Sequence, residues 1–118
     1  MAGISIHVID VSRGVPAAGM TVEVFSVDAG GHKRISAGAI GAQGHYDDAA
    51  LLTRVMTPGR YAACFEIGDY YRAAGIALPE PAFLESVLFE FGLADPAQHY
   101  HLPLKMTPWG YSLFRGGS

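Results

Sequence analysis

Along this chain the apolar and polar positions fall into short alternating runs, each closed by glycine or proline. Ile4 to Asp10 places Ile4, Ile6 and Val8 on one face and Ser5, His7 and Ile9 on the other, the period-two mark of a half-buried strand. Ser12 to Gly19 is turn-rich, punctuated by Gly14, Pro16 and Gly19. Met20 to Val27 predicts a second strand, Asp28 to Gly31 a hairpin loop, and His32 to Ala37 the returning strand. Gly38 to His45 holds too many glycines for a strand interior and reads as a loop or bulge in which Gly44 sets the direction of His45. Asp47 to Val55 is weakly patterned and fits a short strand, a helical turn or both.

After the turn at Thr57-Pro-Gly59, Arg60 to Ile67 aligns Tyr61, Ala63, Phe65 and Ile67 on one face of a strand. Asp69 to Gly75 predicts the one helix, with Asp69 as its N-cap and Gly75 as its stop. Pro79 and Pro81 bar regular pairing, and Leu84 to Phe91 alternates with an ambiguous inside face. Asp95-Pro-Ala turns the chain into a strand from His99, Pro108-Trp-Gly110 turns it back, and a last strand runs to the C-terminus. Seven or eight short strands with a single helix, rather than strands alternating with helices, predict an antiparallel β-sandwich rather than a parallel sheet. With 118 residues, no internal repeat and no linker, residues 1–118 form a single domain.

Composition narrows the possible partners. Half of the residues are apolar and only 16% are charged, which leaves apolar surface for a second subunit to cover. A net charge of −3, with Lys33-Arg34 the only adjacent basic pair, argues against nucleic acid and anionic membrane. Cys64 is the one cysteine, so no disulfide framework is expected, and a reducing, cytoplasmic location follows. The first residues begin a strand rather than a targeting segment, and no apolar run approaches a membrane span.

The chemistry gathers on histidines. His99 and His101 share one strand face, and His7 stands opposite a clear hydrophobic row. A neutral imidazole takes a proton from water while a protonated one polarises a carbonyl. The plain alternative for His7 is a core or interface histidine bonded to backbone. A strand His-x-His with His45 as a third imidazole is also an acceptable zinc or copper set. Arg115 reads as an anion clamp or a solvated terminal charge. Tyr70, Tyr71 and Trp109 read as packing, and Asp47, Asp48 and Glu80 to Glu85 as solvated charges.

Three segments carry a resemblance: Ile6-His-Val-Ile-Asp-Val-Ser-Arg-Gly-Val-Pro-Ala near the start, Gln98-His-Tyr-His-Leu-Pro-Leu, and Pro108-Trp-Gly-Tyr-Ser-Leu-Phe-Arg-Gly-Gly-Ser at the end. They resemble the transthyretin-like family, specifically its 5-hydroxyisourate hydrolase branch, in element order and over essentially the whole length. The resemblance implies an all-β, transthyretin-like sandwich of two four-stranded sheets with one short helix. It also implies a homotetramer, a dimer of dimers with sites at the dimer–dimer interface. The activity implied is hydrolysis of a small heterocyclic substrate without metal or cofactor. Carried over, the catalytic set is His7 and His101, with His45 standing where the family has the arginine of Ala-Asp-Gly-Arg. Arg115, Ser118, Phe114 and Leu113 form the substrate-binding end, where Leu-Phe-Arg replaces Thr-Tyr-Arg and one glycine is added before Ser118. An arginine is a fixed charged fork for planar carbonyls, whereas histidine offers fewer donors and a variable charge. These departures imply altered recognition, with a different cyclic amide as substrate, or a non-catalytic small-ligand-binding protein of the same fold as the alternative.

Overall fold

The computed structural model describes residues 3–49, 51 and 56–117. Among the described residues, eight strands and one short helix follow in the order β1 (Gly3–Asp10), β2 (Val15–Pro16), β3 (Thr21–Asp28), β4 (Gly31–Ala39), β5 (Gly59–Phe65), α1 (Ile67–Ala73), β6 (Val87–Leu93), β7 (His99–Thr107) and β8 (Gly110–Leu113). They form two four-stranded sheets, ordered β2-β1-β7-β8 and β4-β3-β5-β6. Each sheet turns its apolar row inward. Ile4, Ile6 and Val8 meet Val22, Val24, Ala63 and Phe65, with Tyr100, Leu102, Leu104 and Met106 extending the same core.

Several expectations are corrected. The sandwich is not wholly antiparallel, because β1 and β7 pair in parallel. Their connection traverses the entire second sheet, ample chain for a parallel crossover. The turn-rich stretch after β1 contains the two-residue β2, antiparallel to Ile9 and Asp10. The strand expected to reach Ile67 stops at Phe65. Ile67 opens the helix, and Glu66 rather than Asp69 occupies the N-cap, without a side-chain capping bond. Asp69 lies in the first turn, where a carboxylate favours the helix dipole. In β6 the inside face is Val87, Phe89, Phe91 and Leu93, leaving Leu88 and Glu90 outward. Of the weakly patterned stretch, residues 50 and 52–55 lie outside the described residues; Leu51 N–H donates to the Asp48 carbonyl at 3.0 Å, as a helical turn would.

The charges near the helix are not simply solvated. Arg72 reaches Asp69 at 3.1 Å, Glu80 at 3.0 Å and Glu85 at 2.5 Å, binding the proline-rich segment to the helix. Asp48 accepts from Ser36. Tyr70 and Tyr71 are buried as expected, but Trp109 is exposed beside Phe83.

One buried carboxylate ties the helix to the first sheet. Asp10, fully buried at the end of β1, accepts from Tyr71 at 2.7 Å, Tyr70 at 3.0 Å and Ser12 at 2.6 Å. These hydroxyls offset the cost of taking the charge out of water. Asp10→Ala strands all three donors and is expected to lower the unfolding free energy by about 3 kcal/mol, against about 1 kcal/mol for Tyr71→Phe. Urea denaturation followed by circular dichroism measures both, and equal losses would contradict a central role for the carboxylate.

Candidate functional site

The parallel register of β1 on β7 builds the site. Gly3 lies beside His99, Ser5 beside His101 and His7 beside Pro103. Partners across a pair share a face, so Ser5, His7, His99 and His101 all stand on the outer side of the sheet, away from the core. The Ser5 hydroxyl lies 2.7 Å from His99 Nε2 and 2.7 Å from His101 Nδ1. The sequence reading missed Ser5. The available signal was its parity with His7, one strand away from a His-x-His pair.

His45 arrives from the glycine-rich loop. Main-chain bonds run from Val8 N–H to the Gly44 carbonyl at 2.8 Å and from Tyr46 N–H to the Ile6 carbonyl at 3.0 Å, giving a bridge between His7 and His45. The two rings stack with centroids 4.4 Å apart and planes inclined by 18°. His7 Nε2 lies 3.2 Å from the Gln43 carbonyl. A carbonyl only accepts, so this contact places the proton of His7 on Nε2 and leaves Nδ1 as the basic nitrogen of the neutral ring. Beyond His45, the loop is held by the buried Tyr46, whose hydroxyl meets Ser36 at 2.7 Å. Burial raises the Tyr46 pKa and keeps the hydroxyl protonated.

The tail closes over β7. Gly116 N–H donates to the His101 carbonyl at 2.8 Å, and a Cβ at Gly116 would come within 3.0 Å of the His101 ring. Arg115 donates to Gln98 Oε1 and to the His99 carbonyl, both at 3.1 Å, and its guanidinium lies 4.0 Å above the Tyr100 ring. Phe114 is exposed. Leu113 pairs with the core residue Leu104 and packs against the core, so the structure does not bring it to the histidine face. Ser118 lies outside the described residues.

Partial burial, followed by the charges of His7, His99 and His45, pushes the His101 pKa below its ordinary value. His101 is therefore held in its neutral, basic form. Among the described residues no three His, Cys, Asp or Glu side chains are arranged to hold a metal ion, so the tri-imidazole zinc or copper reading lacks a coordination geometry. No helix among them is long and apolar enough to cross a membrane.

Similarity to known proteins agrees with this arrangement. The model of the HIUase/transthyretin family matches residues 4–116. A 5-hydroxyisourate hydrolase of Mesorhizobium japonicum is 43% identical over 110 residues, covering 93% of this chain and 88% of that protein. The solved 5-hydroxyisourate hydrolase of Klebsiella pneumoniae superposes with a TM-score of 0.79 at 27% identity, over 99% of this chain and 94% of that one. An (S)-allantoin synthase gives a TM-score of 0.85 at 24% identity; the chain covers 43% of that longer one, a likeness of fold alone.

The His7–His45 stack depends on a bare backbone at Gly44. This glycine has φ of +92°, and a Cβ there would fall 2.8 Å from His7 Nε2 and 3.0 Å from the Val8 carbonyl. Gly44→Ala is expected to cost about 1–3 kcal/mol in stability and to displace His7. Chemical denaturation and the shift of the His7 ring signals in proton NMR measure the two effects.

Proposed function

The chain belongs to the HIUase/transthyretin family, and on that premise we propose that it is a metal-independent hydrolase of the 5-hydroxyisourate hydrolase type, acting in purine degradation. The observation that carries this reading is the convergence of His7, His45 and His101 on one sheet face, with His101 kept neutral. His101 takes a proton from the attacking water. A protonated His7, whose Nε2–H is taken by the Gln43 carbonyl, polarises through Nδ1–H the carbonyl that receives the hydroxide, and the proton taken up by His101 then goes to the departing ring nitrogen. Such proton transfers contribute roughly 10²–10⁴-fold to a rate.

His45 sits where an arginine clamp would hold the heterocycle. Arg115 and Ser118 supply further polar contacts, with Phe114 as an apolar wall. Leu113 acts only by fixing the start of this tail. The change from a charged fork to an imidazole alters the recognition end, so the preferred substrate is a cyclic amide related to hydroxyisourate or hydroxyisourate itself. A non-catalytic carrier would return its ligand unchanged, which mass spectrometry after incubation distinguishes.

The histidine face also carries the partly buried Ile9 and Pro103. This supports a homotetramer, a dimer of dimers whose interface covers the site. Light scattering is expected to give four times the chain mass, and a monomer would remove this part of the reading. The Cys64 thiol, raised to about 11 chiefly by burial, stays protonated and unreactive, in keeping with a cytoplasmic location.

Purified protein is expected to accelerate the ultraviolet decay of freshly generated 5-hydroxyisourate. His7→Ala and His101→Ala should each lose at least about a hundredfold in kcat. His45→Arg should improve KM for hydroxyisourate by roughly tenfold, since a fixed bidentate donor is restored. Because the His101 pKa is lowered, its base form persists on acidification, and the acid limb of the kcat/KM profile should lie below pH 6.5. Full activity in both alanine variants would overturn the mechanism.

A further inference from the structure

The geometry around Ser5 goes beyond the pair of catalytic histidines. Its single hydroxyl lies 2.7 Å from His99 Nε2 and 2.7 Å from His101 Nδ1. A serine hydroxyl carries one proton and accepts through its lone pairs. If both contacts are satisfied by neutral rings, Ser5 donates to one ring nitrogen and accepts from the other. Only two arrangements meet this condition. When Ser5 donates to His99 Nε2, it accepts from His101 Nδ1–H, and both rings carry their proton on Nδ1. When the directions reverse, both carry it on Nε2. The two tautomers are thereby locked together.

We propose that Ser5 is a positioning residue that holds His101 in its Nδ1–H form and links it to His99 as a proton relay. This rests on the hydrolase reading above. In that form His101 presents the lone pair of Nε2 as base. When Nε2 takes a proton from water, Nδ1–H passes its proton to Ser5, and Ser5 passes its own to His99 Nε2. The serine ends as it began, His101 ends neutral with its proton on Nε2, and the positive charge rests on His99. Charge is moved off the ring whose surroundings most resist it: His101 faces His7, His45 and His99 in a partly buried position. It is delivered to the first residue of β7, whose carbonyl accepts from Arg115. The return of the proton to the leaving nitrogen resets the relay by the reverse steps.

Two observations favour a device over a chance contact. The register that sets Ser5 opposite His101 belongs to the central pairing of the sheet, so the hydroxyl is placed by backbone rather than by a mobile side chain. Ser5 also belongs to the same strand face as His7, so one strand supplies both the acid and the link behind the base.

The test begins without substrate, so that it is independent of whether the protein is a hydrolase. Long-range proton–nitrogen NMR at neutral pH should find both His99 and His101 as Nδ1–H tautomers in the wild type. In Ser5→Ala, His101 should shift to its Nε2–H form. Finding Nε2–H on both wild-type rings, finding different tautomers on the two, or finding no change in Ser5→Ala would each overturn the relay. On the active enzyme, Ser5→Ala should lower kcat roughly tenfold with little change in KM. Ser5→Thr, which keeps the hydroxyl, should restore it. His99→Ala should cost as much as Ser5→Ala, and the double variant no more than either. Additive losses, or full kcat in Ser5→Ala, would overturn the proposal while leaving the hydrolase reading intact. Absence of hydrolysis by the wild type would remove that reading and leave the tautomer result to stand alone.

Discussion

Everything at the histidine face depends on the parallel pairing of β1 with β7. Strands from opposite ends of the sequence become neighbours, and their register sets Ser5 against His101 while burying Ile4, Ile6, Tyr100 and Leu102 on the other side. A slip of one residue would turn the histidines into the core and the aliphatic row into solvent. The buried row therefore specifies the site indirectly. The hydrophobic effect acts on the inner face, and the chemistry on the outer face inherits its alignment.

The two segments that complete the site are attached differently. The His45 loop and the tail after Leu113 are both pinned by main-chain bonds, through Val8 and Tyr46 in one case and through Gly116 in the other. Backbone attachment leaves the side chains at positions 45 and 114 uncommitted to holding their segments. The side chain at position 45 can thus change without loss of the loop's path. Gly44 and Gly116 are less exchangeable, because a Cβ added at either would come within 3.0 Å of a histidine ring. The side chains on these two segments can change while β1 and β7 stay in place.

Much of this was legible in the sequence, and what was not follows a physical division. Local alternation placed β1, β3 and β7 and told which face of β1 was buried, since Ile4, Ile6 and Val8 have no competing apolar row. In β6 it failed, because Leu88 competes with Val87, Phe89 and Phe91 and only packing against β5 decides between them. The N-cap failed at Asp69 because β5 enters the helix almost directly, and the Gly68 N–H bonds to the Glu85 carbonyl, taking over what a capping side chain would do. The direction of β1 against β7 is a property of the whole topology and leaves no mark in either strand. Ser5 went unnoticed for the same reason, since its role exists only once His99 and His101 lie beside it. The family resemblance singled out His7, His101 and, as a departure, His45 as candidates, whereas the inward turn of Leu113 required the β7–β8 register.

Having an imidazole rather than a guanidinium at position 45 bears on the electrostatics of His101. A guanidinium is charged at every working pH, so beside His7 it would oppose protonation of His101 constantly. An imidazole opposes it only when it is itself protonated. As the pH falls, protons arriving on His7, His45 or His99 increasingly resist protonation of His101, because each of those charges acts on it. A positive charge on any of these neighbours therefore favours the neutral state of the partly buried His101. The neutral form of His101 is thus favoured by the same histidines that stand with it on this face of the sheet.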